Sequence, residues 1–189
     1  GFQVLMNLSR VLAERLRLEF QRSTLTEKLA AYLMDTTMDG VTNTYNRTFF
    51  SERFVDELRR AERYGRVLSV ALIEFLSLED VYTAHGEEGR DYLMCAVASL
   101  MRGVLRNTDL LARYEEARFA IILPETSGAE ADIACGKIKK SVEEFSFEFN
   151  GHKVPVRVGS AVSSTDELTG SDDGSETLLA LAVERLVES

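Results

Sequence analysis

Residues 106–124 read Arg-Asn-Thr-Asp-Leu-Leu-Ala-Arg-Tyr-Glu-Glu-Ala-Arg-Phe-Ala-Ile-Ile-Leu-Pro. Leu110 to Tyr114 and Arg118 to Leu123 read as two strands joined by a tight turn at Glu115-Glu116-Ala117. Upstream, Glu88 to Leu105 carries Leu93, Val97, Leu100 and Val104 at helical spacing. Before it, Val67 to Phe75 (VLSVALIEF) is a near-continuous, β-branched apolar run, the pattern of a buried strand. Asn46 is placed to cap a helix running to about Tyr64, with Phe50, Phe54, Leu58 and Ala61 inside and Gly65 ending it. Downstream come a helix over Ala129–Phe145, a strand over Val154–Ser163, an acidic loop over Thr165–Gly174 and a last helix over Thr177–Val187. The order helix, strand, helix, hairpin, helix, strand, helix predicts an α/β fold with one sheet covered by helices.

Ahead of this body, Leu5, Leu8, Leu12, Leu16, Phe20, Leu25, Leu29 and Leu33 recur in steps of three to five without Gly or Pro. This predicts a long amphipathic helix, with a capping-box spacing at Thr24 and Glu27. Its apolar stripe needs a partner: a second copy, a neighbouring domain, or its own body. We therefore expect an N-terminal signalling or dimerisation helix over 1–36 and a globular domain over 37–189. The chain has 189 residues, enough for one domain with an appendage. Its 22 Lys and Arg against 31 Asp and Glu give a net charge of −9, which argues against broad nucleic-acid binding. Two cysteines (Cys95, Cys135) and two histidines (His85, His152) are too few for a Cys/His-rich zinc site, and both thiols are expected to be buried. No apolar run approaches the ~20 residues of a membrane span, and no leader pattern opens the chain, so a cytoplasmic location is expected.

From about Asp39 to its end, the sequence resembles a GGDEF domain, the module that makes cyclic di-GMP from two GTP. Asp39-Gly-Val-Thr-Asn-Thr-Tyr-Asn-Arg47 is similar to the opening D-x-L-T-G-L-x-N-R of that family, and Leu72-Ile73-Glu74-Phe75 to its L-I-D-I strand. Gly86 and Asp91 fall in its Y-G-H-x-x-G-D segment, and Arg106 to Tyr114 resembles the R-x-x-D-x-x-x-R-Y run before the signature hairpin. Phe119 to Pro124 and Val158-Gly159 match the strands that follow. The resemblance implies a palm-like, nucleotide-cyclase-like domain: a central, mainly antiparallel sheet flanked by helices, preceded by a long N-terminal helix.

Where the family carries G-G-D/E-E-F, this chain has Glu115-Glu116-Ala117-Arg118-Phe119. Two glycines there would let the backbone approach GTP phosphates. Glu115 and Glu116 instead add bulk and negative charge; like charges ~4 Å apart repel by about 4 kcal/mol at an effective dielectric of ~20. Ala117 has no ligand atom at the position that supplies a metal carboxylate, and Arg118 reverses the charge of the next. The resemblance also puts Glu74 at the first metal Asp, Glu79 at a phosphate-contacting Lys, and Tyr82 at a guanine-contacting Asn, with Asp91 kept as its partner. We read Glu74 as a vestigial strand-end carboxylate without a role. No catalytic residue, metal or cofactor is expected, and Mg-GTP is not expected to bind productively.

Arg106-x-x-Asp109 has the spacing of the family's inhibitory site, where Arg and Asp grip an intercalated cyclic di-GMP dimer. An Arg fork can bond phosphate or the O6/N7 edge of guanine, and a carboxylate can accept from guanine N1–H and N2–H₂. Lys137 stands where the family has a further basic residue, usually Arg. Arg60 is a candidate arm from a partner subunit, and Arg102, one turn before Arg106, is expected to enlarge the patch. An R-x-x-D pair can equally be a plain surface salt bridge. The expected function is a catalytically inactive receptor for cyclic di-GMP, homodimeric through the N-terminal helix or the ligand. The alternatives are a nucleotide-independent interaction module, and a residual cyclase or GTP sensor.

Overall fold

The computed structural model describes residues 36–168 and 174–188. The chain divides into two units, Gly1–Thr37 and Met38–Ser189, and all that follows concerns the second. The expected N-terminal helix lies outside the described residues, as does the 169–173 part of the acidic loop.

Strand β2 (Leu68–Phe75) is an inner strand of a five-stranded sheet, and both its faces are covered. It pairs antiparallel with β4 (Arg118–Pro124) on one side and β7 (Val158–Ser164) on the other. Outside β4 lies β3 (Leu110–Glu115), antiparallel, and at the edge the two-residue β1 (Tyr45–Asn46), parallel to β3. The order β1-β3-β4-β2-β7 is the mainly antiparallel sheet expected.

Side chains alternate along β2, so each face feeds its own core. Leu68, Val70 and Leu72 pack with α1 (Arg47–Tyr64) and the last helix, α4 (Gly174–Glu188). Ala71, Ile73 and Phe75 pack with α2 (Leu78–Val104) and α3 (Gly128–Glu144). The sequence signals at the ends of α1 do what their chemistry predicts. The Asn46 side chain accepts the Phe49 N–H at 2.9 Å, and Gly65 closes the helix in the left-handed region at φ 61°. Helix α3 starts one residue earlier than expected, on a reciprocal capping box between Ser127 and Glu130.

Three elements differ from expectation. Helix α2 begins at Leu78 rather than near Glu88 and is interrupted at Gly86, where φ 66° and ψ −164° suit glycine. The expected strand over Val154–Ser163 is two pieces. Pro155 lacks an N–H, and residues 155–157 belong to neither strand; β6 (His152–Val154) stops before them and β7 starts after them. Strand β6 instead forms a small hairpin with β5 (Phe147–Phe149) through Asn150 and Gly151, both at positive φ. Finally, Cys135 is buried but Cys95 is exposed. On α2 the buried stripe runs Leu93, Met94, Val97, Ala98, Met101, and Cys95 faces away from it. No described helix is long and apolar enough to cross a membrane.

Candidate functional site

Strand β3 has a polar cluster at each end. At its C-terminal end, the hairpin to β4 turns without glycine. Glu115 pairs with Arg118, Arg113 with Phe119, and Tyr114 between them is an extra residue that bulges the strand. Neither Glu116 nor Ala117 takes a positive φ. Glu115 and Glu116, expected to repel each other, are each paired with an arginine, and so is Glu74. Arg118 donates from Nη2 to Glu74 Oε1 and from Nη1 to Glu115 Oε2, both at 2.8 Å. Arg90 on α2 donates to Glu116 at 2.8 Å and to Glu87 and Asp91 at 3.0 Å. Arg113 donates to the Glu116 carbonyl at 3.1 Å, and Arg47 lies 3.9 Å from Glu115. Glu74 is thus an ion-pair partner, which corrects the reading of it as a carboxylate without a role.

Beneath this hairpin is a hollow of about 520 Å³ lined by Glu74, Glu79, Glu116, Tyr82, Arg90 and Ala117, among others. Three carboxylates line it, and its one arginine is engaged by Glu116, Glu87 and Asp91. A divalent cation takes several oxygens. Here Glu74 and Glu115 already share a guanidinium, Ala117 has no side-chain oxygen and its carbonyl accepts the Phe75 N–H, so the side chains do not fit such an ion. Among the described residues no group of three or more His, Cys, Asp or Glu is placed to hold a metal.

At the N-terminal end of β3, the turn from α2 carries Arg106 and Asp109. The Asp109 carboxylate accepts the Arg106 backbone N–H at 2.7 Å, and the Asp109 N–H donates to the Arg106 carbonyl at 3.0 Å. This reciprocal tie makes Asp109 a lock on its own turn. The two side chains do not form a salt bridge, so the Arg106 guanidinium is left to solvent with no hydrogen bond among the described residues. A hollow of about 160 Å³ opens beside the turn, lined by Arg106, Asp109, Leu105, Glu130, Ile133 and Lys137. Glu130, Ile133 and Lys137 share a face of α3 at three- and four-residue spacing. Hydrogen bonds from the Ser127 amide and hydroxyl hold the Glu130 carboxyl below its ordinary value, and Arg106 adds to this.

Arg106, Asp109 and Lys137 therefore meet as expected, whereas Arg102 and Arg60 do not join them. Arg102 donates to the Thr42 carbonyl and so docks the opening loop. Arg60 lies 3.8 Å from Glu57, which also takes Arg53 at 2.7 Å, and lines a separate hollow of about 310 Å³. That second hollow reaches the same turn from its other side, through Asn107 and Thr108. Sequence reasoning missed Glu130 and Ile133, although their spacing from Lys137 was available as a signal. It also missed Arg90, which nothing in the local pattern marks.

The opening loop is tied to β3 as well. Asp39 accepts the Thr42 amide at 2.8 Å and hydroxyl at 2.7 Å and lies 3.4 Å from Arg113. Burial works to raise the Asp39 pKa, but Thr42 and Arg113 outweigh it and the net shift is downward.

Residues 36–183 match the family described as "Diguanylate cyclase, GGDEF domain". The chain is 29% identical over 132 residues to diguanylate cyclase A of Treponema denticola, covering 68% of this chain and 36% of that protein. It is 34% identical over 94 residues to diguanylate cyclase TpbB of Pseudomonas aeruginosa, covering 49% and 22%. It thus spans about a third or less of the length of these relatives. Among solved structures, it is similar to the coiled coil and GGDEF domain of DgcB from Caulobacter crescentus in complex with c-di-GMP. The TM-score there is 0.83 at 21% identity, over 95% of this chain and 93% of that one. The FimX GGDEF domain from Pseudomonas aeruginosa gives a TM-score of 0.73 at 26% identity, over 80% and 91%.

Proposed function

Because the chain belongs to the diguanylate cyclase GGDEF family, we propose that it is a catalytically inactive member that acts as a receptor for cyclic di-GMP. The observation that carries this reading is the contrast between the two ends of β3. At the hairpin, Arg118 holds the carboxylates and Ala117 has no ligand atom, so Mg-GTP finds neither a metal site nor a phosphate cradle. At the turn, Arg106, Asp109 and Lys137 line one hollow, and the guanidinium is free to fork onto phosphate or a guanine edge. The related DgcB domain in complex with c-di-GMP makes this dinucleotide the ligand to test. Lys137 keeps the charge of the usual Arg without its planar fork, which lowers affinity relative to an arginine there. The sequence of residues 1–36 supplies the proposed route of output, a helix that pairs with a second copy.

Calorimetric titration of the folded chain with cyclic di-GMP tests the reading. Saturable heat at micromolar ligand is expected; a flat trace at tens of micromolar would end it. A second reading, a protein-interaction module that needs no nucleotide, is favoured by Leu76 and Tyr82, which stay half exposed at the hairpin hollow. Partner capture that survives both Arg106→Ala and removal of cyclic di-GMP would support that reading instead. Residual synthesis is checked by incubation with Mg-GTP or Mn-GTP and chromatography of the products, where no cyclic di-GMP is expected.

A further inference from the structure

Two carboxylates from the strands on either side of β4, Glu74 on β2 and Glu115 on β3, point at one cation between them, and that cation is a side chain of β4. Arg118 takes both at 2.8 Å, and its side chain is only 16% exposed. Its Nε is buried without a hydrogen-bond partner. A group held mainly for its hydrogen bonds would not leave that donor empty. What Arg118 supplies is one positive charge at a fixed point between two negative ones. The rest of the surroundings is acidic: Glu79 and Glu116 line the same hollow, Arg90 is spent on Glu116, and Arg47 is distant at 3.9 Å and more than half exposed. Without Arg118, Glu74 would have no ion-pair partner among the described residues, and Glu115 only the exposed Arg47.

We propose that the Arg118 guanidinium is a built-in substitute for a divalent cation. It clamps the β3–β4 hairpin to β2 through Glu74 and Glu115, and so makes the hairpin independent of metal and nucleotide. Since β3 (Leu110–Glu115) leads from this clamp, through the bulge at Tyr114, to the Asp109 turn, the clamp holds the far end of the strand that carries the turn. On the receptor reading above, on which this last step rests, ligand binding at the turn is thereby insulated from magnesium and GTP levels.

The test is thermal unfolding of the full chain, metal-free and with 0–10 mM (roughly, spanning the usual weak-site range) manganese chloride at constant ionic strength. No dinucleotide is present, so failure of the receptor reading leaves the result intact. The wild-type Tm is expected to be indifferent to manganese. Arg118→Met keeps the apolar stem of the side chain and removes the charged head, and should lower Tm by about 4–8 °C. Manganese should restore part of that loss, because the two freed carboxylates can then take the ion. Arg118→Met combined with Glu115→Gln should recover stability and lose the response to metal. Manganese raising the wild-type Tm, or Arg118→Met melting like wild type or ignoring the metal, would overturn the proposal. So would equal loss of folding in the single and double variants, which would make Arg118 a packing residue.

Discussion

Arg106 and Asp109 sit in one turn and serve one proposed ligand, but the structure gives them different second duties, and this separates binding from stability. The Arg106 guanidinium makes no hydrogen bond or close ion pair among the described residues. Arg106→Ala should therefore leave Tm unchanged, while a lost charged hydrogen bond weakens cyclic di-GMP binding by about 1.5–3 kcal/mol, roughly 10- to 100-fold in Kd. Asp109→Ala should weaken binding to a similar degree and also remove the acceptor of the Arg106 N–H at 2.7 Å. Losing that lock costs about 1 kcal/mol, or about 2–4 °C in Tm for a domain of this size. Asp109→Asn keeps an oxygen for the turn but no carboxylate for guanine, so it should bind weakly and melt like wild type. Calorimetry and a melt on each of the three variants give the full pattern. Wild-type affinity in Arg106→Ala, or a fall in its Tm equal to that of Asp109→Ala, would refute the reasoning.

Gly89→Ala would bring a Cβ to 2.3 Å from the His85 Cβ across the kink of α2. Urea unfolding should show a loss of about 1–3 kcal/mol, the usual cost of overpacking. Asp39 has a pKa below its ordinary 3.8, so its contribution to stability is complete above that value and is lost as pH falls through the folded one. Asp39→Asn should flatten the acid limb of the stability profile below about pH 4, measured by urea midpoints against pH. Cys95 is exposed whereas burial pushes the Cys135 thiol up to about 12, so a thiol reagent should titrate one cysteine in the native protein and both in denaturant.

Much of the fold was legible because its signals are local. The run from Leu68 to Phe75 could only be a strand with two covered faces, and Asn46 and Gly65 bound α1 by capping chemistry that acts within four residues. The β5–β6 hairpin was legible too and was passed over. Phe147-Glu148-Phe149-Asn150-Gly151-His152 carries an Asn-Gly turn beside an alternating strand. The start of α2 was lost because Gly86 breaks the helical period, so only its C-terminal half reads as a helix. At the candidate site, the family resemblance named Arg106, Asp109 and Lys137, and the fold brings them to one hollow, two from one turn and the third from the adjacent helix face. The partners of Arg118, Arg90 and Arg102 lie up to 60 residues away in sequence. No periodicity encodes which carboxylate or carbonyl a long side chain will reach once the sheet has formed. That is why Glu74 read as idle and Arg102 as part of the basic patch.

The two ends of β3 can be compared in a single titration. Cyclic di-GMP is injected into the wild-type chain once with magnesium and once with excess chelator, and heat and stoichiometry are recorded. The account predicts saturable binding with the same Kd in both buffers. No binding by a folded sample, or binding that vanishes with the magnesium, would contradict it.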